Sequence, residues 1–131
     1  NLTVQNVTVA NITVNGHIIT AGNTPTATVG TAAGVEDPLN NIAAPQVTIN
    51  GNDTAGTITI VAGANTVAGD FTEVSFANAF TKAPKVMLNA GNEETSNLRF
   101  YRNAQTGKFS IKLSQAPTPG QTYVFDYFII E

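Results

Sequence analysis

The first sixteen residues, NLTVQNVTVANITVNG, constrain the fold more than any other part of the chain. They repeat a five-residue unit, Asn-(Leu/Val/Ile)-Thr-Val-x, three times without a charged side chain. Side chains of a β-strand alternate between two faces, so a five-residue period sends the aliphatic pair of each successive unit to the opposite face. A strand packed by one face on its own domain would leave half of these side chains in water. The pattern therefore predicts an arm that is covered on both faces.

Four arrangements of this arm can be considered. It can insert between strands of a neighbouring subunit's sheet, join the arms of several chains in a β-stalk, coil at each Asn as a pentapeptide repeat, or fold back as an edge strand of its own domain. A coil needs more units than this arm supplies, and the first two arrangements need other copies of the chain. Extended, the arm would span roughly 50–65 Å, which is enough to cross a neighbouring domain. The side chains expected at a subunit interface are Leu2, Val4, Val7, Val9, Ile12 and Val14.

The rest of the chain divides by composition into two further segments. Residues 21–45 are rich in Gly, Ala, Thr and Pro and have no hydrophobic period, which predicts a linker or long loop. From residue 46 to residue 131 short β-prone runs alternate with turn residues, as in an antiparallel sandwich. The last run, TYVFDYFIIE, is apolar on both faces and predicts a central strand that is covered on both sides. We therefore expect an all-β fold, an antiparallel β-sandwich head of residues 46–131 with an extended N-terminal β-arm of residues 1–20.

Three sequence segments of the head also resemble those of a known protein family. FTEVSFANAFTKAPKVMLNAG, LRFYRNAQTGKFSIKLS and TYVFDYFII follow one another in this order. They resemble the C-terminal β-sandwich domains of phage tail fibres and bacterial surface fibres, which are similar to H-type lectin domains. The resemblance implies a jelly-roll or Ig-like/H-type-lectin-like sandwich, and the arm is similar to the stalk repeats that precede such heads. No sugar-binding motif can be matched residue by residue.

The residue inventory does not favour an enzyme. The chain has one His, no Cys, and neither a Gly-x-Ser-x-Gly motif nor a phosphate-binding loop. His17 lies at the end of the arm, directly after Asn15 and Gly16, and is interpreted as a turn or interface residue. The net charge of -3 argues against nucleic acid, and no apolar run is long enough to span a membrane. Only 11% of the residues are charged, which favours an extracellular or cell-surface fibre protein.

The basic residues are confined to the second half of the chain. They either provide a head-to-tail contact with the acidic first half or keep exposed strand faces soluble. Arg99 and Tyr101 are expected to point outward while Leu98 and Phe100 point inward, so the first pair are candidate glycan contacts. The six bases are Lys82, Lys85, Arg99, Arg102, Lys108 and Lys112.

Asn-x-Thr triplets and pairs of adjacent acidic residues suggest two kinds of site, for glycosylation and for calcium. The Asn-x-Thr triplets make Asn1, Asn6, Asn11 and Asn52 candidate glycosylation sites, with Asn52 the better acceptor because it lies in a turn. The adjacent acids Glu36-Asp37 and Glu93-Glu94 could hold calcium with Asp53 or Asp70, but no calcium-site spacing is present and solvated acids are the simpler interpretation. We therefore predict no metal site and no cofactor.

These observations predict a structural subunit of an extracellular filament that polymerises by donor-strand complementation, with itself as partner. In this arrangement the arm would fill a groove formed by the aromatic strands of the neighbouring head. The alternative is a trimeric fibre-tip domain of a phage or surface fibre that binds a receptor or a cell-surface glycan. Because the sequence begins at Asn1 without a Met, we expect a processed mature chain or a piece excised from a longer one.

Overall fold

The computed structural model describes residues 3–131 and shows eight antiparallel strands in two packed four-stranded sheets. The predicted all-β antiparallel sandwich is confirmed. The strands are β1 (Thr26–Val29), β2 (Gln46–Gly51), β3 (Ala55–Val61), β4 (Gly69–Ser75), β5 (Lys85–Ala90), β6 (Phe100–Ala104), β7 (Lys108–Leu113) and β8 (Thr122–Ile130). One short α-helix, α1 (Glu93–Ser96), and two 3-10 turns, Thr31–Ala33 and Pro38–Asn40, complete the described elements.

The strand order is β1-β4-β7-β6 in sheet 1 and β2-β3-β8-β5 in sheet 2. The core lies between the sheets because alternate side chains of each strand point inward. On β7, Phe109, Ile111 and Leu113 are buried while the side chains between them are partly exposed, as the sequence alternation predicts. Phe71 of β4 and Phe125 of β8 meet across the core edge to face, with 6.3 Å between their ring centroids.

Strand β8 lies in the middle of sheet 2, as predicted, with β3 on one side and β5 on the other. Its inner side chains are buried. Its outer face is covered only in part within residues 3–131, because Val124 is half-buried whereas Phe128 is 43% exposed and Ile130 is 48% exposed. Met87 of β5 lies directly opposite Phe128 and is exposed as well. The expectation that both faces of this strand are covered is therefore wrong for the single chain.

The segment 21–45, expected to be a linker or long loop, is part of the sandwich. It contains β1, which pairs with β4 at the edge of sheet 1. Ala32 and Ala33 of the following turn are fully buried in the core, and Val35 bonds through its backbone to Ala64. The small side chains of this segment fit close to the ends of the strands. Its sequence has neither a helical period nor a long β period, so this structure could not be predicted from it. The folded unit thus begins about twenty residues before the predicted start at residue 46.

A buried phenol lies under the turn between β2 and β3. The hydroxyl of Tyr127 donates a 2.7 Å hydrogen bond to the carbonyl of Asn52. Burial, followed by the charge of Asp53, raises the pKa of Tyr127 to about 12. The neutral phenol is therefore the form that the folded protein favours.

This shift predicts a loss of stability in alkaline solution. An unfolded tyrosine ionises near pH 10, so the contribution of the neutral Tyr127 is fully present below about pH 10 and is lost as the pH rises towards 12. Tyr127→Phe should remove this part of the pH dependence, as measured by urea unfolding between about pH 8 and 12. Tyr101→Phe, which removes an exposed phenol, is the matched control. Identical profiles for the protein and Tyr127→Phe would contradict the assignment.

Candidate self-association site

The arm is exposed to solvent over residues 3–19 and forms no strand. Ile12 is 70% exposed and Ile19 is 89% exposed, and the valines of the repeat are also exposed. Of the predicted interface residues, Val4, Val7, Val9, Ile12 and Val14 all lie on this segment, whereas Leu2 lies outside the described residues. The arrangement in which the arm folds back as an edge strand of its own sandwich is not seen. A run of exposed aliphatic side chains of this length is typical of a segment with a binding partner.

The arm joins the sandwich at Thr20. Asn52, in the turn after β2, donates from its Nδ2 to the Thr20 hydroxyl at 3.0 Å. Its Oδ1 accepts hydrogen bonds from the backbone N–H groups of Thr54 at 2.8 Å and Ala55 at 3.1 Å. This side chain therefore closes the turn and ties the base of the arm to it.

The same contacts correct one prediction about glycosylation. Asn52 is only 8% exposed and its amide nitrogen is already bonded to Thr20, so a glycan on that nitrogen would have to displace this contact. Asn52 is thus a poor acceptor in the folded protein, in contrast to the expectation from its turn sequence. Asn6 and Asn11 are exposed on the arm, and Asn1 lies outside the described residues.

The expected acceptor groove between aromatic strands is not present. Strand β8 is hydrogen-bonded along its length to β3 and β5, so no slot is open beside it. Each sheet is continuous across its four strands, and the free edges are those of β1, β6, β2 and β5. An added strand can therefore pair only at an edge of a sheet, and not in the middle of one.

The two sides of the sandwich present different edges. On one side, β5 carries Lys85 and β6 carries Arg102, whose Nε donates a 2.9 Å hydrogen bond to the Val86 carbonyl and so links the two edges. Charged side chains on an edge strand hinder the addition of another strand. On the other side, β1 and β2 contain no charged residue and no proline.

A shallow apolar crevice separates the β1 and β2 edges. Its volume is about 420 Å³. Its lining includes Ala27, Val29, Pro45 and Val47. Sequence reasoning missed this place because β1 lies inside the segment interpreted as a linker. The absence of charge in QVTING was the one feature of the sequence that could have indicated this edge as a place for an added strand.

The candidate glycan residues lie on the outer face of sheet 1. Tyr101 is 53% exposed and lies opposite Lys112 of β7, whose Nζ is 2.7 Å from the carboxylate of Asp70. The hydrogen bond to Asp70 raises the pKa of Lys112. Arg99 is exposed just before β6, so strand alternation places it on the same face as Tyr101. The predicted outward orientation of this pair is confirmed.

A polar cleft of about 460 Å³ lies on this same face. Lys108 lies in it with its Nζ 2.9 Å from the carboxylate of Glu73. Asn103 and Ser110 also line it, and neither was singled out from the sequence. In the sequence, only the alternating lysines and serines of KFSIKLS indicated this solvent-exposed face of sheet 1.

The acids considered as calcium ligands have other partners or lie apart. Asp37 accepts from the backbone of Leu39 at 3.1 Å and from the Asn40 side chain, and this side-chain hydrogen bond lowers the pKa of Asp37. Asp53 accepts from the backbone N–H groups of Ala77 and Asn78 at 2.8 and 2.7 Å. Within residues 3–131 no three acidic, His or Cys side chains are grouped as metal ligands would be. No described helix is both long and apolar enough to cross a membrane.

Comparison with protein-family models, with curated proteins and with solved structures gives no match to this chain. A functional assignment therefore depends on the sandwich, its edges and the exposed arm. Of these features, only the arm combines many exposed aliphatic side chains with an absence of charge.

Proposed function

We propose that the protein is a structural subunit of an extracellular filament, in which the arm of residues 1–20 pairs with the sandwich of a neighbouring copy. The observation that carries the proposal is the exposure of the aliphatic side chains along residues 3–19. Ordering such a segment in water costs backbone entropy without burying its aliphatic side chains. Binding to another copy offsets this cost because it removes those side chains from water.

The form of donor-strand pairing differs from the one expected from the sequence. Since the sheets have no open slot, the arm adds to a free edge of the neighbouring sandwich as a further strand. The uncharged edges of β1 and β2 favour this addition more than the edges that carry Lys85 and Arg102. Repetition of one such contact from copy to copy is heterologous and builds an open filament.

Removing residues 1–19 is the direct test, because all eight strands and the core lie in residues 26–131. The shortened protein should fold but should no longer form filaments in negative-stain electron microscopy. Its sedimentation should be that of a monomer at a concentration where the full chain is assembled. As a control, a full chain in which the arm aliphatics are replaced by Ser should behave like the shortened protein. Filaments formed equally well without the arm would overturn the proposal.

A second candidate function, the trimeric fibre tip, is favoured by a different observation. Met87, Phe128 and Ile130 form a contiguous exposed apolar patch on the outer face of sheet 2. Copies packed side by side through this patch would bring their arms together as a stalk. The polar cleft beside Tyr101 would then be available to a cell-surface glycan. Discrete trimers in sedimentation, together with retention on a carbohydrate array that Tyr101→Ala abolishes, would support this reading over the filament.

A further inference from the structure

We infer that the acceptor site is the free edge of β2, and that its occupant is arm residues 11–16 of a second copy, paired antiparallel to β2. This inference rests on the proposed function and specifies which surfaces meet. It follows from the direction of the backbone groups of β2, from the sequence pattern of the two segments, and from the reach of the arm.

The outer backbone groups of β2 can be identified from the neighbouring ladders. Ala62 N–H donates to Gln121 at 2.9 Å and Ile129 N–H donates to Thr54 at 2.7 Å, so the even-numbered residues of β3 bond to β8. The odd-numbered residues of β3 therefore bond to β2, which agrees with the 3.0 Å bond from Asn52 N–H to the carbonyl of Ala55. By the same alternation, Val47 and Ile49 direct their N–H and C=O groups away from β3. These are the groups that an added strand would pair with.

The arm and β2 share one sequence pattern. Residues 11–16 read NITVNG and residues 46–51 read QVTING, that is, an amide residue, an aliphatic, Thr, an aliphatic, Asn and Gly. In β2 the aliphatic side chains of Val47 and Ile49 point inward and are half-buried, while Thr48 points outward and is exposed. A segment with this pattern is therefore already accommodated as a strand at this edge of sheet 2.

An antiparallel arm matches β2 on both faces. Pairing Thr13 with Thr48 places Ile12 opposite Ile49 and Val14 opposite Val47. The two arm aliphatics then lie over the crevice between β1 and β2. The threonine extends the outer row in which Thr48 already lies opposite Thr59. No charged side chain of β1 or β2 opposes this arrangement.

The arm that fills this edge belongs to a second copy because of the contact between Thr20 and Asn52. In the antiparallel register, Gly16 would lie opposite Pro45, about 23 Å along the strand direction from Asn52. From Gly16 to Thr20 the chain reaches at most about 14 Å. The Thr20 and Asn52 side chains with their 3.0 Å hydrogen bond add at most about 9 Å to this reach. A chain whose Thr20 is bound to its own Asn52 could therefore place residues 11–16 on its own β2 only with every link fully extended, and the arm of a second copy is the occupant that fits without this strain.

A pair of cysteines tests this register directly, since the chain contains no cysteine. Thr13 and Thr48 would form a non-hydrogen-bonded pair, whose Cα separation of about 4.5 Å lies within the range of a disulfide. The full-length double variant Thr13→Cys/Thr48→Cys, oxidised with glutathione disulfide, should give a ladder of covalent oligomers on non-reducing gels. We expect at least about ten-fold more cross-linked protein than in the control Thr13→Cys/Met87→Cys, whose second cysteine is exposed on the opposite edge strand of sheet 2.

The other outcomes separate the acceptor site from the proposed function. If the arm is needed for assembly but the Thr13–Thr48 pair cross-links no better than the Met87 control, the β2 edge is not the acceptor and the filament proposal survives. If the single variant Thr13→Cys gives as much cross-linked protein as the double variant, and this product is a covalent dimer, the arms contact one another. The inference is then overturned in favour of a stalk. Thr48→Lys and Met87→Lys provide a measurement without disulfides, because Thr48 and Met87 are both exposed. Only Thr48→Lys should weaken assembly, by about ten-fold or more in critical concentration, and an equal effect of the two would overturn the inference.

Discussion

Replacing Phe125 by alanine is expected to lower the free energy of unfolding by about 3–5 kcal/mol, which is the usual cost of truncating a buried phenylalanine. Phe125 is fully buried in the middle of β8. Its ring meets Phe100 edge to face with 5.0 Å between centroids and Phe71 at 6.3 Å. Removing the ring therefore opens a cavity between the sheets and also removes two aromatic contacts. Urea unfolding should show a lower midpoint, and the melting temperature should fall by roughly 10–20 °C.

The matched control for this prediction lies three residues further along the same strand. Phe128 has the same side chain but points to the outer face of sheet 2 and is 43% exposed. Phe128→Ala should cost only about 1–1.5 kcal/mol in the monomer, because nearly half of its surface is already exposed and no core cavity results. If the two variants lost similar stability, the assignment of inner and outer faces in β8 would be wrong. Unfolding should be measured at protein concentrations below those at which the chain assembles, so that the two variants are compared as monomers.

The sandwich could be predicted because most of its strands carry a local signal. In KFSIKLS the apolar side chains alternate with polar ones, and the structure buries Phe109, Ile111 and Leu113 between the sheets. In TYVFDYFII the apolar side chains on both faces indicated a central strand, and β8 occupies that place. Alternation and length are properties of a few consecutive residues, so one sequence is enough to read them.

Other features depended on residues that are far apart in the chain. Strand β1 is only four residues long, and it exists because β4 offers a free edge beside it. The burial of Ala32 and Ala33 results from packing under the sheets rather than from their own sequence. Side-chain alternation showed that both faces of β8 are apolar, but only the assembled sheets showed that much of the outer face is exposed. Long-range pairing of this kind is not encoded in local composition.

For the candidate site, the sequence identified the arm but not the surface that would receive it. The period of the arm repeat predicted a segment that needs partners, and its described side chains are exposed. The aromatic strands of the head were expected to form the acceptor groove. In the structure the backbone groups of the most aromatic strand, β8, are paired on both sides within sheet 2, and free backbone groups belong to edge strands such as the less apolar β2. Whether backbone N–H and C=O groups are still free to form hydrogen bonds, and not hydrophobicity alone, decides where a further strand can add.

Replacing Asn52 by alanine is expected to destabilise the fold by roughly 2–3 kcal/mol, because the variant loses three side-chain hydrogen bonds at a buried turn. The N–H groups of Thr54 and Ala55 would lose their acceptor. The base of the arm would lose its bond to the sandwich at Thr20. The backbone carbonyl of Asn52 would still accept from Tyr127. Urea unfolding of the variant and of Asn50→Ala, a nearby substitution at an exposed position of β2, measures the effect.

A second variant separates closing the turn from tethering the arm. Thr20→Val removes only the hydroxyl that Asn52 binds, so it should cost about 1 kcal/mol or less and leave the turn intact. Both Asn52→Ala and Thr20→Val should make the residues next to Thr20 more accessible to limited proteolysis, since each releases the base of the arm. If Thr20→Val were as destabilising as Asn52→Ala, the main role of Asn52 would be to hold the arm. If neither variant changed cleavage near Thr20, the base of the arm would be fixed by contacts other than this hydrogen bond.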